Sequence, residues 1–141
     1  MEDQKKTFLT VTVTIDAPIE KVWTMWNTPA HIIHWNAASD DWHTPHAEND
    51  FQVGGKSLTR MEAKDGSFGF DFEWTYTRID ENEALHYTLA DDRRVEVDFQ
   101  TSGNGVLLTE RFEPESTNSL ELQQSGWQAI LNNFKKYVES H

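Results

Sequence analysis

The sequence predicts a single α+β domain in which an antiparallel sheet packs one aromatic face against a long C-terminal helix. Apolar and polar residues alternate with a period of two at the start and through the middle of the chain. Segments rich in Gly, Asn and Asp separate these alternating stretches, as in hairpins. The last part carries one apolar stripe at helical spacing. A one-sided sheet and a one-sided helix bury each other, so the elements form one unit.

The N-terminal part predicts one strand and two short helices. Residues 8–15 alternate apolar side chains with three threonines, which is typical of a half-buried strand. Pro18 marks a helix start. The apolar residues that follow it at helical spacing are Ile19, Val22, Trp23 and Trp26. Pro29 repeats the start signal, so a second helix is expected from residue 29 to about 34.

The middle of the chain predicts a meander of strands. Residues 36–50 are polar and lack periodicity, so we expect a loop with at most a short strand at 39–43. A strand at 56–63 ends at the hairpin signal Asp65-Gly66. Rings then occupy every second position of one strand: Phe68, Phe70, Phe72, Trp74 and Tyr76. Further strands are expected at 84–89, 93–101 and 106–113, with the last two joined by the turn signal Asn104-Gly105.

A long amphipathic helix is expected to end the chain. Asn118 is the expected N-cap, because Glu121 follows three residues later as in a capping box. One apolar stripe then consists of Leu120, Trp127, Ile130, Leu131, Phe134 and Val138.

The composition narrows the classes of function. A chain of 141 residues suits one domain, which we expect to span residues 1–141. Its formal net charge of −12 opposes binding to nucleic acid or to anionic lipid surfaces. Without cysteine there is no disulfide, thiolate nucleophile or cysteine-ligated zinc. No apolar run approaches the roughly 20 residues of a membrane span, so we expect no membrane insertion and a cytoplasmic location.

Four groups of residues form a recognisable pattern along the chain. In order they are Ile15-x-Ala17-Pro18-x-Glu20-x-Val22-Trp23; Trp26, Pro29 and Trp35; Phe51-x-Val53-Gly54-Gly55; and Gly126-Trp127-x-x-Ile130-Leu131-x-Asn133-Phe134. This pattern resembles the family named for the activator of Hsp90 ATPase, within the START-like or Bet v 1-like (SRPBCC) superfamily. The resemblance runs from about residue 8 to residue 138.

The resemblance implies a helix-grip fold. Six or seven antiparallel strands would bend around the C-terminal helix, and the two short helices after the first strand would close one end. Members often hold a hydrophobic cavity between sheet and helix. The superfamily includes lipid carriers, hormone receptors, and polyketide cyclases and aromatases, so the fold alone selects no chemistry. The eukaryotic activators carry an additional chaperone-binding N-terminal domain, which we do not expect within 141 residues.

The residues expected to bind a ligand in such a cavity are mostly aromatic. They are Trp23, Trp35, Phe70, Phe72, Trp74, Tyr76, Tyr87, Gln123, Trp127, Ile130 and Phe134. Rings provide contact area and stacking. Tyr76, Tyr87, Gln123 and Thr109 could orient the polar groups of a ligand, and Trp35 either anchors its loop or guards the cavity mouth. The same pattern fits a filled core, and the sequence leaves the two alternatives open.

Metal and acid–base sites are weaker candidates. Four histidines form two His-x-x-His pairs: His31, His34, His43 and His46. A helix would place the first pair on one side, but Pro45 interrupts the second pair and the resemblance implies no metal. Asp40 and Asp41 are adjacent, so on an extended chain they point in opposite directions. We therefore expect no metal, no cofactor and no catalytic residue.

Three functions remain open. A module that binds a small hydrophobic or amphipathic molecule, such as a lipid or a polyketide-like or aromatic compound, requires a real cavity. A protein-interaction domain, related to chaperone partners or to the stress response, predicts a filled interior. An enzyme like the polyketide cyclases needs a buried ionisable group with a displaced pKa, for which Tyr76, Tyr87 and Asp98 are candidates. We favour binding, by a monomer or a homodimer, and rank catalysis last.

Overall fold

The computed structural model describes residues 8–141, and residues 1–7 lie outside that range. The strands of the described part are β1 (Leu9–Ile15), β2 (Trp42–Asn49), β3 (Lys56–Ala63), β4 (Gly69–Asp80), β5 (Ala84–Leu89), β6 (Arg94–Ser102) and β7 (Gly105–Phe112). The helices are α1 (Ile19–Asn27), α2 (Pro29–Trp35) and α3 (Leu120–Glu139).

The seven strands form one antiparallel sheet in the order β1-β7-β6-β5-β4-β3-β2. Strand β1 therefore lies beside β7, whereas β2 to β7 follow one another as a meander. The sheet curls into a half-barrel, and α3 packs against its concave face. This arrangement confirms the helix-grip α+β fold that the sequence predicted.

Polar side chains of α3 cover the free edge of β1. Their hydrogen bonds reach three successive outward carbonyl groups, and the donor–acceptor pairs are Gln124–Thr10, Gln128–Thr12 and Lys135–Thr14, at 3.0, 2.9 and 2.7 Å. An uncovered row of carbonyl groups would be a template for pairing with another chain. The helix is thus anchored to the sheet edge as well as to the core.

Strand β2 differs from the prediction. It spans Trp42–Asn49, where we expected a loop with at most a short strand at 39–43. Its pairing with β3 shifts register between His43 and His46, so a bulge breaks the alternation there. Pro45 falls inside the bulge, and β2 is an edge strand, the place where proline is tolerated in a sheet. A polar, irregular pattern therefore concealed a strand.

The N-cap of α3 and the turn between β6 and β7 also differ from the prediction. Ser119, not Asn118, is the N-cap of α3, and its hydroxyl accepts a hydrogen bond from a backbone N–H of the first turn at 3.0 Å. The loop between β6 and β7 consists of Gly103 and Asn104, so Gly105 already belongs to β7. The other helices and strands lie within a few residues of their predicted bounds.

The core is tightest beneath the C-terminal half of α3. Leu131 and Phe134 are completely buried. The Phe134 ring meets Trp26 and Trp35 with centroids 4.9 and 4.8 Å apart. Toward the N-terminus of α3 burial decreases, and Leu120 is exposed. The concave face of the sheet is therefore filled at one end and leaves space at the other.

Candidate functional site

A cavity of about 420 Å³ lies between the concave face of the sheet and the N-terminal half of α3. Cavities of this size are typical of small-molecule sites. Eight of the eleven residues predicted to bind a ligand line it: Trp35, Phe70, Phe72, Trp74, Tyr87, Gln123, Trp127 and Ile130. The structure thus brings strands β4 and β5 and helices α2 and α3 together around one space.

The other three predicted residues are not among those that line the cavity. Trp23 packs edge-on against Phe99 in the core, with ring centroids 5.1 Å apart. Phe134 is completely buried beneath α3. Tyr76 is buried on β4, where its hydroxyl donates a hydrogen bond to Asn49 Oδ1 at 2.9 Å. These three side chains pack outside the lining of the empty cavity, and their part in ligand binding stays a prediction.

Aromatic rings form a continuous wall from the sheet to α3. The ring of Trp127 stacks on Phe112 with centroids 3.9 Å apart and an interplanar angle of 7°. Phe72 lies edge-on to Trp127 at 6.4 Å and near Trp74 at 5.6 Å. Trp74 in turn approaches Tyr87 at 5.3 Å. The cavity therefore offers both ring faces and ring edges to a ligand.

The sequence analysis missed a buried carboxyl group in this cavity, Glu110 on β7. Only 6% of Glu110 is exposed. Burial raises the pKa of Glu110 to about 8, because a low-dielectric environment disfavours the charged form, and hydrogen bonding with Tyr87 lowers that pKa only in part. Glu110 is therefore mostly protonated at neutral pH.

The alternation of β7 contained the signal for Glu110. Leu108 and Phe112 are completely buried on the concave face, and Glu110 lies between them in the same series. The sequence analysis instead chose Thr109, which this alternation places on the opposite face. Asp98, opposite Thr109 on β6, also faces outward and accepts a hydrogen bond from Arg111 at 2.7 Å. Neither Thr109 nor Asp98 lies in the cavity.

Tyr87 on β5 is the polar side chain that interacts with Glu110. It is buried, and burial holds the pKa of the Tyr87 hydroxyl well above its usual range, with the neighbouring Glu110 acting in the same direction. The phenol is therefore neutral at any physiological pH. Together the carboxyl and the phenol form one polar spot in a wall made of rings.

The side-chain amide of Gln123 has a structural role, although Gln123 lines the cavity. Its Oε1 accepts the backbone N–H of Glu115 at 2.8 Å. Its Nε2 donates to the carbonyl oxygens of Glu115 and Asn118 at 3.0 and 2.9 Å. These bonds hold the segment before α3 against the helix, so the amide is already engaged with the backbone.

Two buried polar atoms in the described part of the chain, Thr59 Oγ1 and Trp74 Nε1, have no hydrogen-bond partner. Thr59 on β3 lies opposite Phe72 on β4, so it is diagonal to Trp74. The indole nitrogen is near enough to the Tyr76 hydroxyl to lower its pKa slightly, but the two atoms lack hydrogen-bond geometry. An unpaired buried donor costs about 1–3 kcal/mol, and here both unpaired atoms lie at one wall.

The rim of the cavity combines rings and opposite charges. Phe70 is 38% exposed and contacts Trp42 and Phe68 at centroid distances of 6.1 and 6.0 Å. Arg93 also reaches the rim, where its Nε donates to Asp91 Oδ2 at 2.7 Å. Glu115 lies there as well.

The four histidines of the two His-x-x-His pairs do not line this cavity. His31 Nδ1 lies 2.7 Å from the Tyr137 hydroxyl, and His34 stacks on the Tyr137 ring. His43 and His46 lie on β2 and contact carboxylates of Glu62 and Glu48, respectively. Among residues 8–141, no three His, Asp or Glu side chains converge in a way that could hold a metal ion.

The curled sheet, the gripped helix and the interior cavity define a helix-grip protein. The family described as Activator of Hsp90 ATPase homolog 1-like protein matches residues 16–139. The chain belongs to this family, which confirms the resemblance. No helix in residues 8–141 has the length and apolar character needed to cross a membrane.

Solved structures agree with this assignment. The solution structure of an AHSA1-like protein from Aeromonas hydrophila has 43% sequence identity and a TM-score of 0.85, covering 94% of this chain and 93% of that one. A Cytophaga hutchinsonii protein has 52% identity and a TM-score of 0.81, covering 93% and 91%. The Aha1 dimer from Colwellia psychrerythraea, at 14% identity and a TM-score of 0.75, covers 94% and 96% and shares the fold. No protein with a curated description matches the sequence.

Proposed function

We propose that this protein binds a small hydrophobic or amphipathic molecule in the cavity between the sheet and α3. The observation that carries the proposal is the space of about 420 Å³, walled by rings, between the sheet and α3. Unfilled interior volume lowers stability, so a domain selected only for a filled core would lack this space.

The polar atoms of the wall support an amphipathic ligand. Glu110 and Tyr87 form a polar spot, and Trp74 Nε1 is a buried donor without an acceptor. A few polar groups in an apolar pocket fix the orientation of a ligand, and a ligand acceptor could satisfy the indole N–H. Lipids, polyketide-like compounds and aromatic compounds all provide an apolar body with such groups.

The proposal is tested by filling the cavity. Amide NMR spectra would be recorded while the protein is titrated with fatty acids, flavonoids, sterols and polyketide-like aromatic compounds. We expect saturable shifts on β4 and on the N-terminal half of α3. Ile130→Trp should weaken binding at least about tenfold, because the indole would occupy space that the ligand needs.

Leu122→Trp is the matched control, since it adds the same side chain to the same helix at a position that is 61% exposed. It should leave binding unchanged. The proposal fails if no compound causes saturable shifts, or if both tryptophan variants bind as well as the wild type.

One observation favours a catalytic alternative. Glu110, with its pKa of about 8, could exchange a proton with a bound substrate near neutral pH. Once a ligand is identified, its hydrogen–deuterium exchange can be followed in heavy water with the wild type and with Glu110→Gln. Exchange that the variant loses while it still binds supports catalysis, and equal exchange in both proteins contradicts it.

The other predictions of partner and location stay open. The Colwellia psychrerythraea protein is described as a dimer, which supports testing this chain for a homodimer by sedimentation. A chaperone partner, suggested by the name of the family, and a cytoplasmic location remain predictions.

A further inference from the structure

The cavity holds a carboxyl group that pairs with no basic side chain among residues 8–141. Glu110 is 6% exposed, and the polar neighbour that acts on it is the Tyr87 phenol. A buried carboxylate is expensive unless it is paired with a cation or coordinates a metal. A hydrophobic residue would fill this position on β7 at less cost to stability. In the empty cavity the raised pKa keeps this carboxyl group mostly uncharged, and a bound cation would stabilise its ionised form.

We propose that the cavity receives an amphipathic organic cation, an amine or quaternary ammonium group on an apolar body, with Glu110 as its counter-ion. This inference rests on the proposed binding function and specifies the class of its ligand. The polar head would lie against Glu110 and Tyr87, and the apolar body would lie along the rings of β4 and α3.

The rings around Glu110 favour a cation. Tyr87 and Trp74 lie 5.3 Å apart, and Trp127 closes the opposite wall from α3. The negative face of an aromatic ring attracts an ammonium group within about 6 Å of its centroid, and indole is the best such ring. A cavity that combines several rings with one carboxyl group thus provides both components of ammonium recognition.

The charges at the cavity rim and the net charge of the protein also favour a cation as the ligand. Arg93 could repel a cation, but its guanidinium is bonded to Asp91 at 2.7 Å and lies near Glu115. Hydrogen bonds from Asn118 hold the pKa of the Glu115 carboxyl below its usual range, so this rim carboxylate stays ionised. The protein carries a formal net charge of −12, which attracts cations and opposes anionic ligands.

Ionisation of Glu110 makes cation binding dependent on pH. Tyr87 on β5 faces it, and Arg93 and Glu115 lie at the rim. Its neighbours on β1 and β6 are Val11 and Val97, and α3 contributes uncharged side chains such as Trp127. Burial raises the pKa of Tyr87 and hydrogen bonds lower that of Glu115, so among these described carboxyl and phenol groups Glu110 is the one whose pKa lies between pH 7 and pH 9. Its ionised fraction rises about tenfold over that range, and the affinity for a permanent cation should rise with it.

The experiment compares a permanent cation with a neutral molecule of similar shape. The probes are 4-phenylbutyltrimethylammonium and 4-phenylbutan-1-ol, titrated by calorimetry at pH 7 and at pH 9. The proteins are the wild type, Glu110→Gln and Glu73→Gln. Glu73 lies exposed on β4, so its replacement removes the same charge outside the cavity.

We expect the wild type and Glu73→Gln to bind the cation about ten times more tightly at pH 9 than at pH 7, with release of about one proton per cation at pH 7. Glu110→Gln should lose this pH dependence, and the ratio of its cation affinity to its alcohol affinity at pH 9 should be at least about tenfold below that of the wild type.

Two kinds of result would overturn the inference. If the wild type binds cation and alcohol equally at both pH values, or binds only the alcohol and loses it above pH 8, Glu110 is no counter-ion, and the binding function stands. If neither probe binds while a neutral compound of the NMR panel does, the inference is refuted and the binding function stands; if no compound of the panel binds either, both are refuted.

Discussion

Replacement of Glu110 by Gln should change how the free energy of unfolding depends on pH. The pKa of Glu110 is about 8 in the folded protein and near 4.5 in an unperturbed chain. Between these values the folded state keeps a proton that the unfolded state has released. The stability of the wild type therefore falls as pH rises through this range, and the loss is complete above pH 8.

The gap between 4.5 and about 8 corresponds to roughly 5 kcal/mol in total, at about 1.4 kcal/mol for each pH unit. Between pH 5.5 and pH 8.5 the wild type should lose about 3 kcal/mol relative to Glu110→Gln. Glutamine has nearly the same shape and cannot ionise. Titrating groups remote from Glu110 contribute equally to both proteins and cancel in the difference.

The assay is urea unfolding of both proteins at pH 5.5, 7.0 and 8.5, followed by tryptophan fluorescence. The stability difference between Glu110→Gln and the wild type should grow with pH, whereas Glu73→Gln should remain parallel to the wild type. Parallel curves for Glu110→Gln would refute the reasoning, because they would mean that Glu110 is ionised and solvated in the folded protein. Such a result would also remove the pH dependence expected for cation binding.

Two further predictions concern the elements that frame the cavity. Gly126→Ala should raise the free energy of unfolding by up to about 1 kcal/mol, because a Cβ there meets nothing within 4 Å and alanine favours the helix. Gly105→Ala should lower the free energy of unfolding, because its Cβ would lie 2.7 Å from the Ile15 carbonyl oxygen. Urea unfolding measures both changes in the free energy of unfolding. If both variants were stabilised or both destabilised, the packing described around Gly126 and Gly105 would be contradicted. Ser119→Ala should lower the free energy of unfolding by about 1 kcal/mol, because α3 loses its N-cap. Thermal unfolding measures this loss, and an unchanged melting temperature would mean that Ser119 is not the cap.

Local patterns were sufficient for most elements of the fold. The predicted strands at 56–63 and 84–89 match β3 and β5 at both ends, because turn signals such as Asp65-Gly66 are local to the sequence. The apolar stripe of the last helix likewise reflects a local period of 3.6 residues. Strand β2 escaped because its bulge interrupts the alternation and its edge position tolerates Pro45.

The candidate site was predictable in composition and not in arrangement. Rings on β4 and α3 were expected to face each other, and eight of eleven predicted residues line the cavity. The sequence could not separate residues that line a space from those that fill it: Trp127 lines the cavity, whereas Phe134 on the same helix face packs the core. The distinction depends on how far α3 lies from the sheet at each turn.

The sequence by itself determined the order of the elements apart from β2, the aromatic face of β4, the amphipathic end helix and the family, since each is set by residue spacing along the chain. Only the tertiary structure decided that a cavity remains beneath α3 and that Glu110 lies in it. It also placed Gln123 against the backbone of the segment before α3. The reason is physical: burial, unpaired polar atoms and a displaced pKa arise from distances between residues remote in sequence, such as Glu110 and Tyr87.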